Sequence, residues 1–324
     1  MFAPAAYGDL LGTAGSFAVL GGSTVTNTGA TVLTGDLGLD TGSSITNPAG
    51  SSITVNGTFY SGTGTLSANP PNVDIEGTAV QAQSDLTTAY LSLDALAPKQ
   101  DLSGQDLGGL TLTAGVYKFD SSALMTGTLG ALTLNFQDLS NQFFVFQIGT
   151  QLTTSSGPSG GPGDATVTIE NPGSNDGVYW VVGNAVIGTY SQFEGNILSY
   201  SGIVLETGAT IGCGRALNQI PGSVTMDTNT ISTGCAGVPG EGSGGGLSNL
   251  EYVSGSPSVP VPGVPGAFEI ATGPGGPSLP TVPEPSALLL LATCIAGLAI
   301  QRKWARSSKP QNHGAYRALS SNTI

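Results

Sequence analysis

Charge, cysteine and histidine are all scarce in this chain, and each scarcity removes a class of chemistry. Only 9% of the 324 residues are charged and 6% are aromatic. Three cysteines, Cys213, Cys235 and Cys294, cannot supply a disulfide framework or the paired spacing of a structural zinc site. The single histidine, His313, lies in a basic C-terminal tail. A body without histidine has no Ser-His-Asp or Cys-His centre and no imidazole-held metal. No catalytic residue, metal or cofactor is therefore expected. Basic residues are few as well: up to Ser286 there are three against 21 acids, a net charge of −18. Such a body repels nucleic acid and anionic lipid, so neither is expected as a partner.

What the chain has in quantity is glycine, with 50 copies, together with 20 prolines and many Thr, Ser, Val and Leu residues. That mixture suits many short strands divided by many turns, an all-β body. Period-two alternation runs through LTLTAGVYKF from Leu110, FFVFQIG from Phe143, VYWVVG from Val178 and NILSYSGIVLE from Asn196. One segment breaks the pattern. Pro70 and Pro71 precede it, Pro98 closes it, and Leu86, Tyr90, Leu93 and Ala97 recur at helical spacing, so a single amphipathic helix is expected over about 74–97. The acids Asp36, Asp40, Asp101, Asp106 and Asp120 fall at turns, where a carboxylate more often accepts backbone N–H groups than catalyses.

The later part repeats itself. TYSQF ends at Phe193, TGATI at Ile211 and DTNTI at Ile231, so one short strand returns after 18 and then 20 residues, and NAVIG, SGIVL and GSVTM correspond between them. A period near twenty holding three strand-turn units is one rung of a three-sided β-solenoid. If Phe193, Ile211 and Ile231 point inward, alternation turns Gln192, Thr210 and Thr230 outward in register, with Tyr190, Gly208 and Thr228 as a second row. Such a face is an uncharged grid of hydroxyls and methyls, suited to holding ordered water and offering nothing to a phosphate or a nucleophile. A strand propensity alone also explains any single threonine.

Four blocks carry a family resemblance: LGTAGSFAVLGGSTVTNTGATVLTGDLG from Leu11, DLSGQDLGGLTLTAGVYKF from Asp101, FFVFQIGTQLTTSSG from Phe143 and EGNILSYSGIVLETGATIGCGRAL from Glu194. They resemble the microbial ice-binding proteins over essentially all of 10–232. The resemblance implies a right-handed, three-sided, discontinuous β-solenoid with a long helix beside it and its N-terminal rungs next to the C-terminal ones. It also implies ice as the ligand and a Thr-Ala/Gly-x-Thr/Asn motif facing it. Thr207, Gly208, Ala209 and Thr210 match that motif fully, whereas Thr189–Gln192 and Asp227–Thr230 match it in part. The expected ice-contact residues are thus Thr189, Gln192, Thr207, Gly208, Thr210, Thr228 and Thr230.

The two ends of the chain concern export. Val282, Pro283, Glu284 and Pro285 precede an apolar run over 287–300 and a basic cluster of Arg302, Lys303 and Arg306. This ending resembles the PEP-CTERM sorting signal, which implies export, processing by an exosortase and delivery to the envelope or extracellular matrix. The run is short for a bilayer span, which takes ~20 residues, and its basic flank would stay on the cytoplasmic side. Residues 1–9 read as the cleavage end of a leader. The expected order is then a solenoid domain over 10–235, a Gly/Pro/Ser-rich linker over 236–281, the sorting signal over 282–306 and a polar tail over 307–324. In an exported protein Cys213 and Cys235 fit a disulfide, and free thiols fit the spacing equally. A non-catalytic adhesion or exopolysaccharide-matrix role is the alternative to ice binding.

Overall fold

The structure is a computed structural model that describes residues 10–40, 45–61, 77–159, 161 and 163–234, together with the strand backbone at 259–260 and 268–269. Its body is a three-sided β-solenoid of parallel strands, in which each coil visits three faces in the same order. The coil at the N-terminus shows the path. Phe17–Gly21 runs on the first face, Thr24–Asn27 on the second and Ala30–Thr34 on the third, and Asp36–Leu39 then returns to the first.

The stacking order does not follow the chain. On the first face it begins with Gln100–Asp101 and Gly115–Phe119, continues through the strands of 143–218, and ends with Phe17–Gly21, Asp36–Leu39 and Phe59–Ser61. The N-terminal coils therefore sit beyond the C-terminal one. Val19 pairs with Ala216, Thr225 with Thr26 and Ile231 with Leu33, so the seam is closed on all three faces. A chain that folds this way must travel from Ser61 at one end of the stack to Gln100 at the other. The helix Thr78–Asp94 makes that return, its 17 residues covering about 25 Å.

Why the helix lies on the first face is a matter of outward side chains. Val116, Val145, Tyr179, Val181, Leu198 and Leu217 point away from the solenoid interior, and all are buried against Ala82, Leu86, Ala89 and Leu93 of the helix. Each such aliphatic side chain withdrawn from water stabilises the fold by about 1.5–3 kcal/mol. Three polar ties fix the helix lengthwise. Thr13 N–H donates to Asp85, Gln83 Nε2 donates to Gly21 and Asn218 carbonyls across the seam, and Gln147 Nε2 donates to the carbonyls of Leu93, Asp94 and Leu96. The last of these satisfies carbonyls that a helix C-terminus leaves unpaired. The helix consequently stops three residues earlier than the spacing predicts, and Ala97, expected on its inner face, is exposed beyond its end.

Inside the solenoid the expected ladder is present, with Phe193, Ile211 and Ile231 fully buried and in register. The wide coils are filled by aromatics. Phe146 stacks on Trp180 at 4.0 Å between ring centroids, and Tyr117, Phe144 and Phe193 extend the pile. The turn acids act as turn acids: Asp36 accepts from Thr58 N–H, Asp101 from Ser103 N–H, and Asp106 from Gly108 and Thr126 N–H. Cys213 is disulfide-bonded, and Cys235, the partner its spacing suggests, lies outside the described residues. So do the leader, the sorting signal and the apolar run 287–300. Among the described residues no helix is long and apolar enough to cross a membrane. Within the expected linker, Val259–Pro260 pairs antiparallel with Phe268–Glu269.

Candidate functional site

Among the described residues two faces of the solenoid carry no α-helix, and they differ in chemistry. The second, here the open face, is built from seven strands that register places side by side. Its outward row reads Leu124, Thr153, Val186, Val204, Thr225, Thr26 and Thr46. A second row two residues earlier reads Gln151, Asn184, Gly202, Ser223 and Thr24. Neither row holds a charge or an aromatic ring. Strands stack about 4.8 Å apart and rows stand about 6.6 Å apart, so the longer row extends about 29 Å. The residues between, such as Ala185, Ile203, Val224 and Val25, are buried in the core and hold the strands in place. In the second row, amides are tied into a ladder: Asn184 Nδ2 donates to Gln151 Oε1, and Gln151 Nε2 donates to Thr153 Oγ1.

The third face carries the row read from sequence. Gln192 pairs with Thr210 and Thr210 with Thr230, as the spacing predicts, and the row continues through Val32 and Thr54. Thr230 and Gln192 are exposed. The neighbouring positions interrupt this lattice. Glu194 folds over Gly212 to accept Cys213 N–H at 2.6 Å, and burial pushes its carboxyl up to about 7, against that hydrogen bond. A Cβ at Gly212 would lie 2.5 Å from Glu194 Oε1, so the glycine is what lets the carboxylate lie there.

The remaining residues expected to contact ice fall on the corner between these two faces. Tyr190, Gly208 and Thr228 align as expected but in turns, not on a strand, because all three have left-handed backbone at φ 57°, 71° and 58°. At Gly208 the Tyr190 ring also leaves no room for a side chain, since a Cβ would meet it at 2.4 Å. The threonine hydroxyls here are engaged by the carboxylates of the corner itself. Thr189 Oγ1 and Ser156 Oγ donate to Glu206, while Thr207 Oγ1 and Thr228 Oγ1 donate to the two oxygens of Asp227. Hydrogen bonds, first from the Ser156 hydroxyl and then from Thr189, hold the Glu206 carboxyl below its ordinary value, with burial opposing them. Thr189, Thr207 and Thr228 thus shape the corner rather than line a face.

The corner interior is polar by design of the turn. Thr154 and Ser191 hydroxyls share a hydrogen bond, Asn229 Nδ2 donates to Glu206 and Ala209 carbonyls, Asn229 N–H donates to Thr31, and Thr31 donates to Asn27. These groups satisfy the backbone where it bends.

Sequence reasoning did not single out the open face. Its signal was half visible, since NAVIG, SGIVL and GSVTM align and alternation there turns Val186, Val204 and Thr225 outward. Thr26 and Thr46 join that row, and Thr24 the row of Ser223, only through the seam, which pairs residues about two hundred positions apart.

Known proteins share this arrangement. An ice-binding protein of Nostoc sp. (strain HG1) is 47% identical over 242 residues, covering 74% of this chain and 79% of that protein. The crystal structure of an ice-binding protein from an Antarctic biological consortium superposes with a TM-score of 0.57 at 38% identity, over 68% of this chain and 89% of that one. That of the Antarctic ascomycete Antarctomyces psychrotrophicus gives 0.57 at 34% identity, over 69% and 97%. Residues 281–303 match the PEP-CTERM protein-sorting motif. Residues 19–232 match the Ice-binding-like family, and the chain belongs to it.

Proposed function

We propose that this protein is an exported ice-binding protein that adsorbs to ice through the open face and so slows ice growth or recrystallisation. The observation that carries this reading is the row from Thr153 to Thr46, in register, uncharged and free of aromatic rings. Most of its side chains are β-branched and so hold one preferred χ1, which lowers the entropy lost on contact. Methyls of Val and Thr fill gaps between waters while Thr and Ser hydroxyls complete hydrogen bonds. Immobilising one water costs at most ~2 kcal/mol, and a repeated template adds many such contacts. Support also comes from kinship, since the Nostoc relative bears the name ice-binding protein. The reading is non-catalytic, which accords with acids engaged at turns.

The row Gln192, Thr210 and Thr230 is a second candidate contact, favoured by its register and by the full Thr-Gly-Ala-Thr match that ends at Thr210. Ice-affinity partitioning and crystal shaping separate the two faces. Thr225→Tyr is expected to reduce both several-fold with an unchanged melting temperature, and Thr230→Tyr to leave them near wild type. The opposite ranking moves the contact to the third face, and no partitioning by the parent protein overturns the reading.

Export rests on the sorting motif. In this reading Val282, Pro283, Glu284 and Pro285 are the exosortase recognition segment, 287–300 inserts in the membrane before processing, and the body reaches the envelope or the extracellular space. A matrix role, with exopolysaccharide as the partner, is the alternative that the sorting motif favours. Polysaccharide pull-down beside ice partitioning decides between them.

A further inference from the structure

We infer that the body is built to be held from the side away from its open face, so that a chain anchored through its C-terminal segment presents that face outward and joins its support to ice. This rests on the ice-adsorption reading above. The cause is the seam. After Ser232 the next place in the coil would be on the helix-covered face beside Thr210–Asn218, but Phe17–Gly21 occupies it, with Val19 opposite Ala216 and Leu20 opposite Leu217. That strand position is taken, and the described solenoid chain ends at the corner between the third and helix-covered faces. Thr233 fixes the exit there: its N–H and its Oγ1 both donate to the Thr34 carbonyl, at 2.9 and 3.1 Å. Of the three corners of the section, this is the one opposite the open face.

The exit is also within the stack rather than at its end. On the third face Ala30–Thr34 and Ser52–Asn56 lie beyond Thr230–Ser232, and Thr210–Asn218 and further coils lie before it. A load applied there pulls across the rows together, whereas a load at one end of a rod peels contacts in turn. Because the exit is already on the far side, access to ice does not call on the length of the Gly/Pro/Ser-rich stretch over 236–281.

The test compares points of attachment. The full chain with a tag after Ile324 is loaded on beads through the tag, beside a variant lacking 238–278. A third preparation is coupled with a short spacer through an azide on a phenylalanine analogue replacing Tyr200, an exposed side chain on the rim of the open face. Every protein is also assayed free in solution. Both tag-held beads are expected to stay on ice to a similar degree, and beads held at position 200 to be retained several-fold less. If the free proteins are active but shortening the linker releases the beads, or attachment at position 200 holds equally well, the inference is overturned. If the free proteins do not partition into ice, it is the adsorption reading that fails.

Discussion

A threonine in this protein acquires its role from where its hydroxyl goes. Thr189, Thr207 and Thr228 donate to Glu206 and Asp227 and so serve the turn, whereas Thr225 and Thr26 stand on the open face. Replacing Thr189 by Val is therefore expected to lower stability by about 1–3 kcal/mol, the cost of a lost bond to a charged group, with ice shaping retained where the fold persists. A denaturant titration beside a shaping assay reads both. Glu194 sets a second expectation at this scale. Its folded value of about 7 lies above its ordinary 4.5, so folding takes up a proton, and its contribution is present below about 4.5 and lost as pH rises through about 7. Asp176, raised by burial to about 6, adds the same slope. Glu194→Gln should flatten the fall in melting temperature between pH 5 and 8. Ice shaping through the open face should show no step in that range, because no group in its rows titrates; a step there would assign the contact to the third face.

Among elements, the helix is the one whose loss the solenoid tolerates least, because it covers the outward apolar row of the first face. Leu86→Ala should cost about 2–5 kcal/mol, the range for truncating a buried leucine. Gln147→Ala should cost about 1–3 kcal/mol by leaving buried carbonyls at the helix end unpaired. Hydrogen exchange of the helix amides, faster in the Gln147 variant than in the solenoid strands, would distinguish loss of docking from general softening. The open face is held for a related reason: its strands alternate buried Ala185, Ile203, Val224 and Val25 with the displayed row, so the core pins each rung from behind.

For the whole molecule the seam is decisive. It joins Ser223–Met226 to Thr24–Asn27, so a contact surface made of sequence-distant coils is continuous. Thr26→Tyr, on the N-terminal side of the seam, should therefore weaken ice shaping as much as Thr225→Tyr on the other. A full effect from one and none from the other would show that the surface ends at the seam. The same junction fills the strand position after the C-terminal coil, with Thr233 held at the corner opposite the open face.

By itself the sequence determined the solenoid, its inward ladder of Phe193, Ile211 and Ile231, the register of Gln192, Thr210 and Thr230, and the presence of one return helix. These are local matters, because period-two alternation and a near-twenty-residue repeat are written in neighbouring residues. Only the tertiary structure decided which residues of distant coils stand in one row. Whether a threonine hydroxyl turns outward or toward Glu206 depends on corner conformation, and whether Thr24 and Thr26 extend the rows of Ser223 and Thr225 depends on a pairing across almost the whole body. No periodicity within a segment encodes a pairing between segments: it is selected when the coils stack, by burial of the apolar edge that each half leaves uncovered alone.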